Sequence, residues 1–181
     1  MLHFITGNTK KFKEVEAMLK GIVELKQLDI DLPEIQDDDP KNIVKEKLIA
    51  AKEHHEGKFI VDDASLGFEC LNGLPGPLIK WFLEAMGPEG LYDITKNFDN
   101  HNATARTTIG YFDGEEIYYF EGEVEGKIVE KATDDGFGWD VIFKPNIIDV
   151  TYAELSLEQK NEISHRRKAI EKLKEFLKEQ K

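Results

Sequence analysis

Cysteine is the scarcest residue in this sequence: one, Cys70, in 181 positions. A lone thiol cannot close an internal disulfide, so the fold has to rest on its own core, and the chain fits a reducing compartment. Cations are also in short supply. The 24 Lys+Arg stand against 36 Asp+Glu, a formal charge of −12. That balance argues against a nonspecific nucleic-acid binder, yet it leaves room for a small anion held by a few placed lysines. No apolar run approaches the ~18–20 residues of a spanning helix. Met1 to Thr6 carries neither a basic leader nor a long apolar core, so no signal peptide is read. What remains, 40% hydrophobic and 33% charged, is the composition of an ordinary non-membrane domain. At this length we expect one domain over residues 1–181, cytoplasmic, burying about 70% of its unfolded surface without staples.

Hydrophobic spacing divides the chain. Leu2–Ile5 reads as a strand that breaks at Thr6-Gly7-Asn8. A helix follows from about Thr9 to Lys20, with Phe12, Val15, Met18 and Leu19 on one face. Ile22–Leu28 reads as a strand and the acidic stretch Asp29–Pro40 as loop. Asn42–His55 reads as a helix, its two terminal histidines taken as solvated surface. Phe59-Ile60-Val61 is a buried strand that ends on Asp62-Asp63. Leu78–Met86 and Glu89–Asn97 read as two short helices. Thr104–Phe112 and Glu116–Val124 form a hairpin turning at Asp113-Gly114. A third strand is expected at Gly126–Glu130, a loop at Asp134–Asp140 and a short strand at Val141–Phe143. A short helix starts at Ser156, and a last amphipathic helix runs over Ser164–Lys181. Early strand–helix alternation followed by hairpins gives an α/β fold with a mixed sheet.

Five constellations could carry chemistry. Thr6-Gly7-Asn8-Thr9-Lys10-Lys11 puts a close-approach glycine ahead of a helix N-terminus, which suits phosphate. Taken alone it is also a plain capped helix, and it is no Walker loop. Asp62-Asp63 ends a buried strand at the edge where α/β sheets collect ligands, and a hard oxygen pair there suits Mg²⁺. Strand alternation sends the two side chains to opposite faces, so only one is expected to enter a site. Glu34, between Pro33 and Ile35, is a second candidate metal ligand, and Lys47 lies on the helix that follows. Phe137-Gly138-Trp139-Asp140 offers aromatic faces on which a base can stack for ~1–3 kcal/mol. Lys160 through Arg167 sets a capping Ser164 before His165 and Arg166. Two cations in a first helical turn oppose the dipole unless an anion or a carbonyl oxygen faces them. Cys70 lacks an activating neighbour and is not read as a nucleophile.

In order, Thr6-Gly7-Asn8…Lys11, Pro33-Glu34-Ile35-Gln36, Val61-Asp62-Asp63, Gly73-Leu74-Pro75-Gly76-Pro77, Phe137-Gly138-Trp139-Asp140 and Ser164-His165-Arg166 span nearly the whole chain. Each is weak alone, but six in sequence are not. Together they resemble the inosine triphosphate pyrophosphatase family, in its eukaryotic-type variant. The resemblance implies two lobes around an elongated mixed sheet, an active-site groove between them and, usually, a homodimer. It implies Mg²⁺-dependent hydrolysis of ITP, dITP and XTP to the monophosphate and pyrophosphate. Carried over by position, Thr6, Gly7, Asn8, Lys11 and Lys47 bind the phosphates. Glu34 and Asp63 bind metal, and Asp63 is also the general base. Phe137 stacks on the base, with Gly138, Trp139 and Asp140 shaping its pocket, and Lys160, His165 and Arg166 read its oxygen. Where the family usually has Ser or Thr after the second acid, this chain has Ala64, which leaves only a backbone N–H for the phosphates. The acidic stretch before the helix is about one residue longer than usual, so Lys45 competes with Lys47 for its role.

Nearby cations are expected to lower the pKa of Asp63 and keep it ionised. Two other readings compete: a related pyrophosphatase acting on modified pyrimidine nucleotides, and a nucleotide sensor that has lost turnover.

Overall fold

The computed structural model describes residues 1–180. Its centre is a seven-stranded mixed sheet. Strand β1 (Leu2–Ile5) lies parallel to both β2 (Leu25–Leu28) and β3 (Phe59–Phe68). Beyond β3 the ladder is antiparallel, through β5 (Asn102–Phe112), β6 (Ile117–Ile128) and β7 (Phe143–Pro145), while the two-residue β4 (Pro75–Gly76) pairs with β3. Five α-helices complete the described residues: α1 (Thr9–Leu19), α2 (Pro40–His54), α3 (Ile79–Thr95), α4 (Leu157–Ile163) and α5 (His165–Glu179). No helix among the described residues is long and apolar enough to cross a membrane.

Helix starts follow the local chemistry. Asn8 caps α1, Asp39 caps α2 just ahead of Pro40, and Ser156 and Ser164 cap α4 and α5. Apolar residues on α1 and α5 pack on one face of the sheet with Ile60, Ile109 and Tyr111. Val44, Leu48 and Ala51 of α2 cover the other face with Phe59 and Val61. A third cluster, built from Leu66, Phe68, Ile79, Leu91, Trp139 and Phe143, forms the second lobe. Gly122 allows α5 to lie against β6: a Cβ there would fall 2.1 Å from the His165 carbonyl oxygen. Any side chain at that position would lift the start of α5, and with it His165 and Arg166, off the sheet.

Several boundaries differ from the sequence reading. Strand β2 starts only at Leu25, because the amides of Ile22 and Val23 bond back to the Leu19 carbonyl and close α1. Strand β3 does not end at Asp62-Asp63 but runs on to Phe68, since β5 pairs with all ten of its residues. The third strand expected near Gly126 is the continuation of β6. Val141 closes a short 3₁₀ turn, and the strand begins at Phe143. The α3 segment breaks at Gly87, ahead of Pro88, as two short helices would. His55 is no free surface residue: its Nε2 lies 3.0 Å from His3 Nδ1. The last residue assigned to the final helix, Lys181, lies outside the described residues.

Candidate active site

Strand β1 pairs with β3 only at His3–Phe59 and Phe4–Ile60. Past that point β3 loses its parallel neighbour, and its edge opens into a groove. Asp62 and Asp63 lie there, both buried, and side chains from both faces of the sheet reach the same opening. The expectation that only one acid would enter the site is therefore corrected: where the neighbouring strand stops, the two faces are no longer separated.

On the α1/α5 face, Asp62 Oδ1 accepts from Lys11 Nζ at 3.0 Å and Asp62 Oδ2 from Arg166 Nη2 at 3.3 Å. Arg166 Nη1 also donates to Glu14, whose other oxygen accepts from Lys160 Nζ at 2.9 Å. Lys160 Nζ donates in turn to Asp140 Oδ2 at 2.6 Å. Burial alone would raise Asp62 and Glu14, but their cationic partners outweigh it and hold both below the usual carboxylate range. Asp140 goes the other way, burial winning over Lys160. The dipole conflict read at His165-Arg166 resolves within the chain. Glu14 and Asp62 are the anions that face Arg166. His165 is not a cation at all: burial, then Arg166 and Lys160, push its pKa well below the ordinary value. Its ring lies against Trp139 and Tyr152, with both nitrogens unpartnered.

On the α2 face, Lys47 Nζ lies 2.6 Å from Glu34 Oε1 and 3.4 Å from Asp63 Oδ1. The second oxygen of Glu34 meets Lys80 Nζ at 3.0 Å, across the groove. Burial would raise Glu34, yet its bonds to Lys47 and Lys80 bring it down to about 2. Asp63 contradicts the expected lowering: burial raises its pKa despite Lys47 and Lys11. A raised carboxyl is the better proton acceptor near neutral pH. Asp63 Oδ2 is buried without a partner. Lys45 is exposed and lies outside the groove, whereas Lys47 is buried and lines it.

Across the groove, Gly138 adopts φ +58, a conformation that L side chains rarely take. It turns the chain between Phe137, which is 39% exposed, and Trp139, which is buried in the second-lobe core. Lys10 Nζ sits 5.3 Å from the centroid of the Phe137 ring. At the first turn, Asn8 Oδ1 is committed to the amides of Lys10 and Lys11, while Thr6 Oγ1 accepts from the Asn8 amide. The groove encloses about 540 Å³, within the usual range for a small-molecule site.

The sequence model of the Ham1 family matches residues 2–176. The chain belongs to the Ham1 family. A curated Schizosaccharomyces pombe relative, named inosine triphosphate pyrophosphatase, is 44% identical over 180 residues, covering 98% of this chain and 95% of its own. A Phaeosphaeria nodorum protein of the same name is 42% identical over 178 residues, covering 97% and 93%. The solved structure of the Staphylococcus aureus Ham1 protein superposes with a TM-score of 0.80 at 27% identity, over 100% of both chains.

Every site residue expected of this Ham1 chain from its sequence lines the one groove, from Thr6, Gly7, Asn8 and Lys11 through Glu34, Lys47, Asp63 and Ala64 to Phe137, Asp140, Lys160, His165 and Arg166. Three residues were missed in these roles. Glu14 joins Lys160 to Arg166 beneath the groove, Asp62 joins Lys11 to Arg166, and Lys80 closes on Glu34 from the second lobe. Glu14 did leave a signal, as an acid sharing a helical face with Lys11, Val15 and Met18.

Proposed function

We propose that this protein hydrolyses inosine triphosphate and the related non-standard purine nucleotides dITP and XTP to the monophosphate and pyrophosphate, clearing them from the nucleotide pool. One observation carries the reading. A single groove is lined both by an exposed aromatic ring, Phe137, and by lysines, among them Lys11, Lys47 and Lys80, whose ammonium groups are held by carboxylates. A triphosphate can take the place of those carboxylates while a base stacks on the ring. The curated relatives, at 42% identity or more, carry the matching name.

In the proposed reaction Thr6, Gly7, Asn8, Ala64 and the lysines seat the phosphates. Asp63 accepts a proton from water, whose oxygen bonds to the α-phosphorus. The bond from that phosphorus to the bridging oxygen breaks, and pyrophosphate leaves. The donor set suits a divalent metal, with Mg²⁺ the proposed ion. Glu34 and the orphaned Oδ2 of Asp63 are hard oxygens, and Mg²⁺ is commonly held by one or two carboxylates plus substrate phosphates. When bound, the ion offsets the negative charge of the phosphates. Arg166 is a permanent donor, and both it and Lys160 are locked in place by Glu14, Asp140 and Asp62. With neutral His165 beside them, they favour a 6-oxo purine over the 6-amino group of adenine.

We further propose a cytoplasmic homodimer, on the strength of the resemblance. Sedimentation at micromolar concentration tests its assembly. The function is tested by pyrophosphate release from ITP, dITP and XTP against ATP, GTP and dUTP, with and without Mg²⁺. A preference for the first three supports the reading. A preference for dUTP transfers it to pyrimidine nucleotides, and binding without turnover makes the protein a sensor.

A further inference from the structure

The register of β3 against β5 sets Thr108 directly opposite Asp63. Residues opposite each other in an antiparallel pair project to the same face, with Cβ atoms about 5 Å apart. That face is the one covered by α2, from which Lys47 reaches Asp63 Oδ1. Thr108 is fully buried and its hydroxyl has no partner, while the same is true of Asp63 Oδ2. Two unpaired polar atoms side by side in a protein interior call for a reason. A hydroxyl rotor can supply the proton, and a carboxylate oxygen has two lone-pair sites, so it can accept from a hydroxyl and still face a cation.

We infer that Thr108 is a positioning residue, whose hydroxyl turns about χ1 to donate to Asp63 Oδ2 and fixes the plane of that carboxylate during the reaction. In the free protein Lys47 holds the other oxygen of Asp63. Once a triphosphate draws Lys47 toward its own oxygens, Asp63 needs a second donor to keep its bearing, and no other described residue bonds to Oδ2. The neighbouring Thr107 is an internal contrast. It is equally buried and equally unpartnered, but it lies opposite Ala64, so its side chain points to the α1/α5 face.

The inference rests on the proposed function, and the test separates the two. Thr108→Val keeps the shape and removes the hydroxyl, Thr108→Ser restores it, and Thr107→Val is the control. With ITP and saturating Mg²⁺, Thr108→Val is expected to lose kcat by ~10-fold or more with KM within about threefold. Thr108→Ser recovers most of that loss, and Thr107→Val leaves kcat near wild type. Unchanged kcat in Thr108→Val overturns the inference, as does equal loss in the valine and serine variants, which assigns the effect to packing. Thermal melting with a bound non-hydrolysable triphosphate analogue, which draws Lys47 away from Asp63 without turnover, gives a second readout. Thr108→Val lowers the melting temperature in the wild-type background but not in Asp63→Ala, where the hydroxyl has no carboxylate to meet. Equal shifts in both backgrounds overturn the contact. Should the wild type release pyrophosphate from no nucleotide, the functional reading falls, and the melting comparison still decides the contact.

Discussion

Asp62 and Asp63 are consecutive, yet their carboxylates are held from opposite faces of the sheet, Asp62 Oδ1 by Lys11 at 3.0 Å and Asp63 Oδ1 by Lys47 at 3.4 Å. The chemistry diverges accordingly. Asp62 is locked between Lys11 and Arg166 and held ionised. Asp63 has one free oxygen and a raised pKa.

Exchanging each acid for its amide should separate the two roles. Asp63→Asn is expected to fold normally and lose turnover by roughly 10²-fold or more, because the proton acceptor is gone. Asp62→Asn leaves two cations short of a counter-charge in a buried place, so its first effect is on stability, by about 3 kcal/mol or more. Urea midpoints and kcat for both variants check this. If Asp62→Asn is stable and inactive while Asp63→Asn turns over, the roles are reversed.

Glu14 touches two cations, Lys160 and Arg166, and all three are buried. Glu14→Ala strips both of a partner at once. We expect a loss of about 3–5 kcal/mol of stability, as for other broken buried ion pairs. In whatever fraction stays folded, the loosened Lys160 and Arg166 discriminate less well, so the ITP/ATP ratio of kcat/KM narrows. An unshifted urea midpoint together with an unchanged ratio would refute the bridging role.

The local elements were legible because their signals are local: Asn8, Ser156 and Ser164 cap helices, and Asp113-Gly114 turns the long hairpin. Residues that line the groove could be found for the same reason, as short ordered motifs. Pairings across the chain could not. Glu14 and Lys160 are 146 positions apart, and nothing in either segment announces the other. The extension of β3 past Asp63 was hidden because two adjacent acids look like the end of a strand, and only pairing with β5 keeps them in register. The direction of the Asp63 shift depends on a balance of burial against Lys47, and burial is a property of the assembled fold.

Phe137 stands 39% exposed at the groove while Trp139, two residues on, is buried against Phe143, Tyr152 and His165. Their truncations should therefore read differently. Phe137→Ala is expected to raise KM for ITP, matching a stacking loss of about 1–3 kcal/mol, with little change in melting temperature. Trp139→Ala opens a void in the core and lowers the melting temperature first. A Phe137→Ala variant with normal KM and reduced stability would make it a packing residue.

Acid should act first on a histidine. His165 is buried, faces the cations Arg166, Lys160 and Lys11, and stays neutral in the fold. Unfolded, it regains an ordinary pKa near 6.5. Below that pH the unfolded chain takes up a proton that the folded chain refuses, so stability is complete above about pH 7 and falls as pH drops through 6.5, by at most about 1.4 kcal/mol per pH unit. Glu34, at about 2, loses its contribution only in more acidic solution, from its ordinary value downward. Asp63 and Asp140, raised by burial, act in the opposite direction, and His3, lowered by burial and His55, adds to the loss. The informative quantity is therefore the difference between wild type and His165→Gln, which cannot titrate. Urea unfolding between pH 7.5 and 5.5 should give a steeper loss of stability in the wild type, by close to one proton. Parallel curves would mean that His165 accepts its proton without unfolding, and that it enters the groove as a cation after all.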